Sequence, residues 1–384
     1  MQSVVRSPAE ARVWRSHTEL SAQAGKAFQE LLPYCVPGVQ EWTCHDEGGP
    51  VVTFVPGHGM PAEEIEDRLS EALRRALLTP TRPPRILYDR PAVPASGASE
   101  AADVRTTGQG LIVLGPVMAR LAGAVDEYAR RTAAELGAAE YGVPHLVSWE
   151  TIERAGYART FPQHLTACSV VQGDLGALDR FAAAEGRDAR STELTTAPVT
   201  LSPTVCMHLF AAHADRALPE PVLATARQAC ARHELIQEGA TRLWSFNMRE
   251  IIYLGHQSGA RDLCRDVMAR LIAFTEELGL PATISSASDP FFTVERDALT
   301  GYQSRLDLKQ ELRGRMRDGR EVAVTSVNIH NEHFGDSFAI TMDGRAISSA
   351  CVGYGLERWG LWLYDHVGED PAQWPAVLRD LAGL

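Results

Sequence analysis

The chain has 384 residues, 45% of them hydrophobic and 22% charged, with a net charge of −12: the profile of a folded protein with room for one large domain and a smaller one. A charge of that sign argues against holding a nucleic-acid backbone as its main task. No apolar run reaches the roughly 20 residues of a membrane span, and the stretch from Met1 to Leu20 lacks the apolar core of a secretory signal. The seven cysteines (Cys35, Cys44, Cys168, Cys206, Cys230, Cys264 and Cys351) are scattered, odd in number and never in a CxxC pair. That usage fits a reducing cytoplasm, and it means any metal site must be assembled from distant segments.

In chain order, "VVTFVPGHG" reads as a short strand ending in a Pro/Gly turn. "PAEEIEDRLSEALRRALL" reads as an amphipathic helix opened by Pro61, acidic at its start and basic, with Arg74 and Arg75, near its end. Residues 79–110 are rich in Pro, Gly, Ser and Thr and read as a linker or an irregular excursion. Residues 111–141 form one long helical pattern. Around 192–213 the sequence is β-branched and broken by proline, as a strand and loop beside a site would be. Residues 228–255 read as two strands around a loop. A helix spans roughly Ser258–Leu278, with Leu263, Val267, Leu271, Phe274 and Leu278 on one face and Gly279 and Pro281 ending it. A hairpin then turns at Asp343–Gly344. The expected fold class is α+β: an antiparallel β-sheet flanked by helices in 111–384, preceded by a smaller N-terminal α/β unit plus linker in 1–110.

Alternation from Arg242 onward places Arg242, Trp244, Phe246, Met248, Glu250 and Ile252 on one strand face. A mixed face of this kind fits a helix-covered sheet with a wet edge as well as it fits a site. "ARHE" gives Arg232 and Glu234 a shared face, a weak signal alone. "SACVGYGLERWG" runs a strand into a helix through Gly353 and Gly355, with Cys351 before the turn and Arg358 just inside the helix.

Together these segments resemble the catalytic core of class II aminoacyl-tRNA synthetases. "ARHE", a loop and "RLWSFNMREIIYLG" are similar to its second signature motif, and "CVGYGLERWGLWLY" to its third, GxGxxR. Within the class the resemblance is to the zinc-dependent seryl-type branch, especially truncated homologues that act as amino acid:[carrier protein] ligases. It covers about 111–384 and includes "LSPTVC", "KQEL" and "VNIHNEHFG" in the family order.

The resemblance implies residue roles. Arg232 would contact the α-phosphate and the reacting carboxylate, where a bidentate cation stabilises developing charge without proton transfer. Glu234 would accept from the adenine amine, and Phe246 would stack under adenine. Arg358 would cover the base or reach the terminal phosphate, and Gly355 would let the backbone pass close to the nucleotide. Cys206, Glu250 and Cys351 would hold one Zn²⁺ and leave a fourth position for the substrate's α-amine. Asn328 would contact the substrate side chain, Lys309 and Glu311 would line the pocket or the nucleotide site or simply form a strand edge, and Glu321 is a candidate Mg²⁺ ligand at a poor spacing from Asn328. His208, His213, His233, His330 and His333 are left out of the ligand set, because the family uses no histidine on zinc.

The implied function is ATP-dependent activation of a small amino acid as its adenylate, followed by transfer to the phosphopantetheine thiol of a carrier protein. The alternatives are a tRNA-charging synthetase, which the net charge opposes, and a non-catalytic paralogue, which the intact motif set opposes. A homodimer is implied because class II cores dimerise. Residues 1–110 have no counterpart in the family.

Overall fold

A computed structural model of the chain describes residues 11–35, 41–46, 48–55, 61–78, 84–91, 103–233, 235, 239–287 and 308–384. The described residues fall into two compact units that divide between Pro84 and Arg85.

In the first unit, β1 (Arg12–Arg15), β2 (Glu41–Asp46) and β3 (Pro50–Val55) form an antiparallel sheet in the order β1-β3-β2. Helices Ala22–Cys35 and Ala62–Leu77 enclose a core that includes Phe28, Leu32, Phe54, Ile65 and Leu69. Pro61 caps the second helix, as its fixed φ favours.

The second unit begins earlier than the composition suggests. Within 79–110, β4 (Ile86–Arg90) pairs with a central-domain strand, and β5 (Val104–Gly108) forms a hairpin with β6 (Leu111–Leu114). The helical pattern at 111–141 is likewise shorter: the helix runs Pro116–Glu135. Asp103 decides its start, because its carboxylate accepts from the N–H groups of Val117 (2.6 Å) and Met118 (3.2 Å). Gly115 admits that close approach, since a Cβ there would lie 1.6 Å from Asp103 Oδ1.

The remaining strands are β7 (Ala139–Glu140), β8 (Leu146–Ser148), β9 (Ala167–Val171), β10 (Leu194–Leu201), β11 (Val222–Ala231), β12 (Ser245–Gly255), β13 (Ala282–Ser286), β14 (Lys309–Arg315), β15 (Glu321–Asn331), β16 (Thr341–Met342), β17 (Arg345–Ala346) and β18 (Ser348–Gly355). The main sheet has the order β4-β13-β14-β15-β18-β12-β11-β7, antiparallel except for the β11–β7 pair. The α+β expectation for this region holds. The Asp343–Gly344 turn joins β16 and β17, with both residues at positive φ.

One face of the sheet packs against helices Pro116–Glu135, Gln257–Glu277 and Leu356–Val367. Met118, Leu121, Val125, Leu263, Val267, Leu271, Trp359 and Trp362 are buried there with Ile251, Val324, Val327 and Val352 from the strands. Burying each such side chain contributes about 1.5–3 kcal/mol, so this face anchors the sheet. The other face carries the second core around Phe210, Met248, Ile252 and Phe338, together with Cys206 and Cys351. Among the described residues no helix is long and apolar enough to cross a membrane.

Candidate active site

Strand register assembles the site. Glu250 on β12 lies opposite Gly353 on β18, and Cys351 lies opposite Asn328 on β15. Two-residue alternation therefore turns Glu250, Cys351, Gly353, Ser326 and Asn328 toward the same face. Gly353 keeps that face open: a Cβ there would meet Met248 Sδ at 3.2 Å, Ser326 Oγ at 3.6 Å and Glu250 Cγ at 3.7 Å.

Cys206 arrives from elsewhere. The loop after β10 passes Pro203 and enters the short helix Cys206–Ala212. The Glu250 carboxylate accepts from Val205 N (3.4 Å) and Cys206 N (3.0 Å), which fixes that helix against the sheet. The result is a buried trio: donor atoms of Cys206, Glu250 and Cys351 all lie within 4.8 Å of one another. Burial pushes the Glu250 carboxyl above its ordinary value. The Cys206 thiol is driven well up by its hydrogen bond to Cys351, then by burial and the neighbouring carboxylate. For Cys351 the same bond acts downward, but burial and Glu250 outweigh it, so the thiol is raised overall. The thiols beside this carboxylate are acids whose protons a bound cation would displace. Two sulfurs and a carboxylate are the donors zinc favours, and three protein ligands match an open, working site.

The residues expected at the nucleotide lie at or just beyond the ends of these strands. Arg232 follows β11. Its Nε donates to Pro203 O at 3.0 Å, and its guanidinium carbon sits 5.5 Å from the Phe246 ring centroid, a cation–π contact. Gly355 ends β18, and Arg358 enters the following helix with Nε donating to Thr241 O (2.6 Å) and Nη1 to Ala323 O (3.2 Å). Lys309 is buried directly across from Asn328 in the β14–β15 register and pairs with Glu311 at 3.3 Å. Asn328 Nδ2 lies 3.8 Å from Cys351 Sγ and 3.3 Å from Ser326 Oγ.

Glu321 does not join this group. A bulge in β15 opposite Leu312–Arg313 leaves Glu321 on the same face as Asn328, across from Arg315, but it lies near the opposite end of the strand and accepts from Arg315 (2.9 Å) and Thr283 (3.3 Å). Glu234 lies outside the described residues.

Several further contributors were not assigned from the sequence. Thr204 Oγ1 lies 3.4 Å from Cys206 Sγ, and His330 Nε2 lies 3.7 Å from Cys351 Sγ. Buried Glu357 accepts from Asn247 N and Nδ2 at 2.8–2.9 Å, tying the Arg358 helix to β12. Burial raises its carboxyl, and the Asn247 bonds oppose that. On the far face, Arg249 binds Asp126 and Glu140. Only the "SPTVC" spelling hinted at Thr204; the others required the register.

No protein-family model matches the chain. The chain is 32% identical over 258 residues to amino acid–[acyl-carrier-protein] ligase 1 of Bradyrhizobium diazoefficiens, a match covering 65% of this chain and 78% of that protein. Ligase 2 of the same organism matches at 31% over 247 residues, covering 63% and 73%.

The chain belongs to the amino acid–[acyl-carrier-protein] ligase family.

It is therefore a ligase. A type-2 serine–tRNA ligase of Methanococcus aeolicus is similar over a shorter part of this ligase, 27% identical over 157 residues, covering 38% of this chain and 29% of that one. Among solved structures, M. kandleri SerRS in complex with A. aeolicus tRNASec superposes with a TM-score of 0.68 at 19% identity, covering 97% of this chain and 77% of that one. The fold is that of class II seryl-tRNA synthetases.

Proposed function

We propose that this ligase activates a small amino acid with ATP and passes it to the phosphopantetheine thiol of a carrier protein. The observation that supports the reading is the buried Cys206–Glu250–Cys351 trio on the sheet face that also carries Phe246, with the Arg232 guanidinium against the Phe246 ring. When bound there, zinc supplies a Lewis-acid position for the substrate's α-amine, which selects an amino acid over a plain carboxylic acid.

The chain's own groups then do the following. Asn328 and Lys309 border the space beyond Cys351 and restrict the side chain that fits. Arg232 faces the α-phosphate as the substrate carboxylate attacks phosphorus and the bond to the β-phosphate breaks, releasing pyrophosphate. Its fork stabilises charge that grows in the transition state. Phe246 stacks on adenine, with Arg358 on the opposite side of the nucleotide. Mg²⁺ accompanies the ATP phosphates. In the second half-reaction the carrier's sulfur attacks the acyl carbon, the thiol proton is lost to solvent, and AMP leaves. Holding these groups in line supplies most of the acceleration, because neither half-reaction requires the protein to form a covalent bond. A homodimer is the proposed assembly.

The test is amino-acid-dependent ATP–pyrophosphate exchange across a panel of amino acids, with zinc measured on the same samples. The reading expects exchange with one small amino acid and about one zinc per chain. Cys351→Ser should lose most of the metal and the exchange while remaining folded. Exchange at the wild-type rate without bound metal would sink the zinc assignment. Aminoacylation of tRNA but not of a phosphopantetheinylated carrier would replace the acceptor.

A further inference from the structure

His330 lies two residues after Asn328, at the irregularity in the β15–β18 register between Ile329 and Asn331, and the ligand trio leaves it out. Its Nδ1 lies 3.0 Å from Ser349 Oγ, and its Nε2 lies 3.7 Å from Cys351 Sγ. Ser349 is fully buried. Phe210 and Phe334 meet the imidazole edge-on, with ring centroids at 6.1 and 4.8 Å, so the ring has little freedom to turn. A neutral imidazole has one donor and one acceptor nitrogen, and the bond at one decides the role of the other. If the Ser349 hydroxyl donates to Nδ1, the ring proton sits on Nε2 and points at the sulfur. A metal-bound thiolate can only accept, so this tautomer is the one that suits it.

We propose that His330 is a positioning residue of the metal centre: its Nε2–H donates to the Cys351 thiolate, and the Ser349 hydroxyl supports that tautomer by donating to Nδ1. The inference rests on the zinc reading of the trio. Asn328 Nδ2 is a second donor to the same sulfur at 3.8 Å, and Thr204 Oγ1 stands 3.4 Å from the other sulfur. Each thiolate thus has donors of its own. They remove part of its charge and hold its lone pairs toward one point, while the carboxylate is held by the Val205 and Cys206 amides. Outer hydrogen bonds of this kind orient the ligands and tune metal affinity, typically by about 10–100-fold.

The experiment uses the full chain loaded with cobalt(II), whose sulfur-to-metal charge-transfer band reports the charge on the thiolates. His330→Ala should move that band to longer wavelength. It should also weaken zinc binding about 10–100-fold in competition with a chromophoric chelator. His330→Gln, which returns an amide N–H, should recover much of both. Ser349→Ala, which frees the tautomer, should give a smaller shift in the same direction and decides the matter should His330→Ala fail to fold. An unchanged band and unchanged affinity in the folded variants overturn the assignment. A wild-type chain that takes up cobalt with no thiolate band overturns the zinc reading itself, and this inference with it.

Discussion

Arg249 links the long helix to the strand that carries Glu250. Its Nε lies 2.5 Å from Asp126 Oδ1 and its Nη1 3.1 Å from Glu140 Oε1, with side-chain exposures of 4%, 15% and 51% respectively. The same Nη1 reaches Thr225 Oγ1 at 3.4 Å, and that hydroxyl donates to Glu250 O at 2.8 Å. Arg249→Met keeps the apolar stem but strands Asp126. Removing one partner of a buried pair costs about 3–5 kcal/mol, because an uncompensated charge is left behind. Asp126 retains Arg227 at 3.2 Å, and Arg227 is 46% exposed, so solvent and this second cation soften the loss. The expected cost is therefore at the lower end, about 3 kcal/mol. Asp126→Asn in the same chain removes the stranded charge, and the double variant should recover about 1–2 kcal/mol of it. Urea unfolding of the two single variants and the double variant measures the cycle. Arg249→Met within about 0.5 kcal/mol of wild type, or a coupling of zero, would show that the pair does not fasten helix to strand.

Two further outcomes test the nucleotide side and the small unit. Arg232→Ala should slow ATP–pyrophosphate exchange about 10²–10³-fold with little change in stability, and Arg232→Lys should recover only part of it, since an ammonium lacks the planar fork. A wild-type exchange rate in Arg232→Ala would mean that Arg232 does not face the reacting phosphate. In the N-terminal unit, the Arg74 hydrogen bond, followed by that of Arg75, lowers the Glu71 carboxyl from 4.5 to about 2. A lowered acid favours the folded state above its ordinary value, and that gain fades as pH falls from about 4.5 toward 2. The pairs are half exposed, so Glu71→Gln should cost only about 0.5–1 kcal/mol at pH 7. The gap to wild type should close near pH 2; a gap that persists there in thermal melts would refute the account.

Local signals carried much of the fold. The amphipathic repeat of Gln257–Glu277 is strong enough that Leu263, Val267, Leu271, Phe274 and Leu278 all reach the expected core. Asp343–Gly344 tolerates the positive φ its turn needs, so that hairpin was legible too. The motif spellings around Arg232, Glu250 and Cys351 were enough to suggest one metal and one nucleotide. Alternation correctly divided β12 into a face with Phe246, Met248 and Glu250 and a face with Ile251 and Tyr253.

What failed depended on partners far along the chain. Ile86–Arg90 looks like linker because an edge strand of five residues gains its stability from β13, which is about two hundred residues away. Leu111–Leu114 fits a helical period until Val104–Gly108 pairs with it and Asp103 caps the helix behind it. The bulge in β15 cannot be read from spacing, yet it sets where Glu321 points. The sequence by itself determined which chemistry-bearing side chains the protein has and which of them share a face of an unbroken strand such as β12. Only the tertiary structure decided that Cys206 meets Glu250 and Cys351, and that His330 and Thr204 stand behind the sulfurs. Alternation is a property of one strand, whereas register and loop approach are set by the packing of the whole sheet.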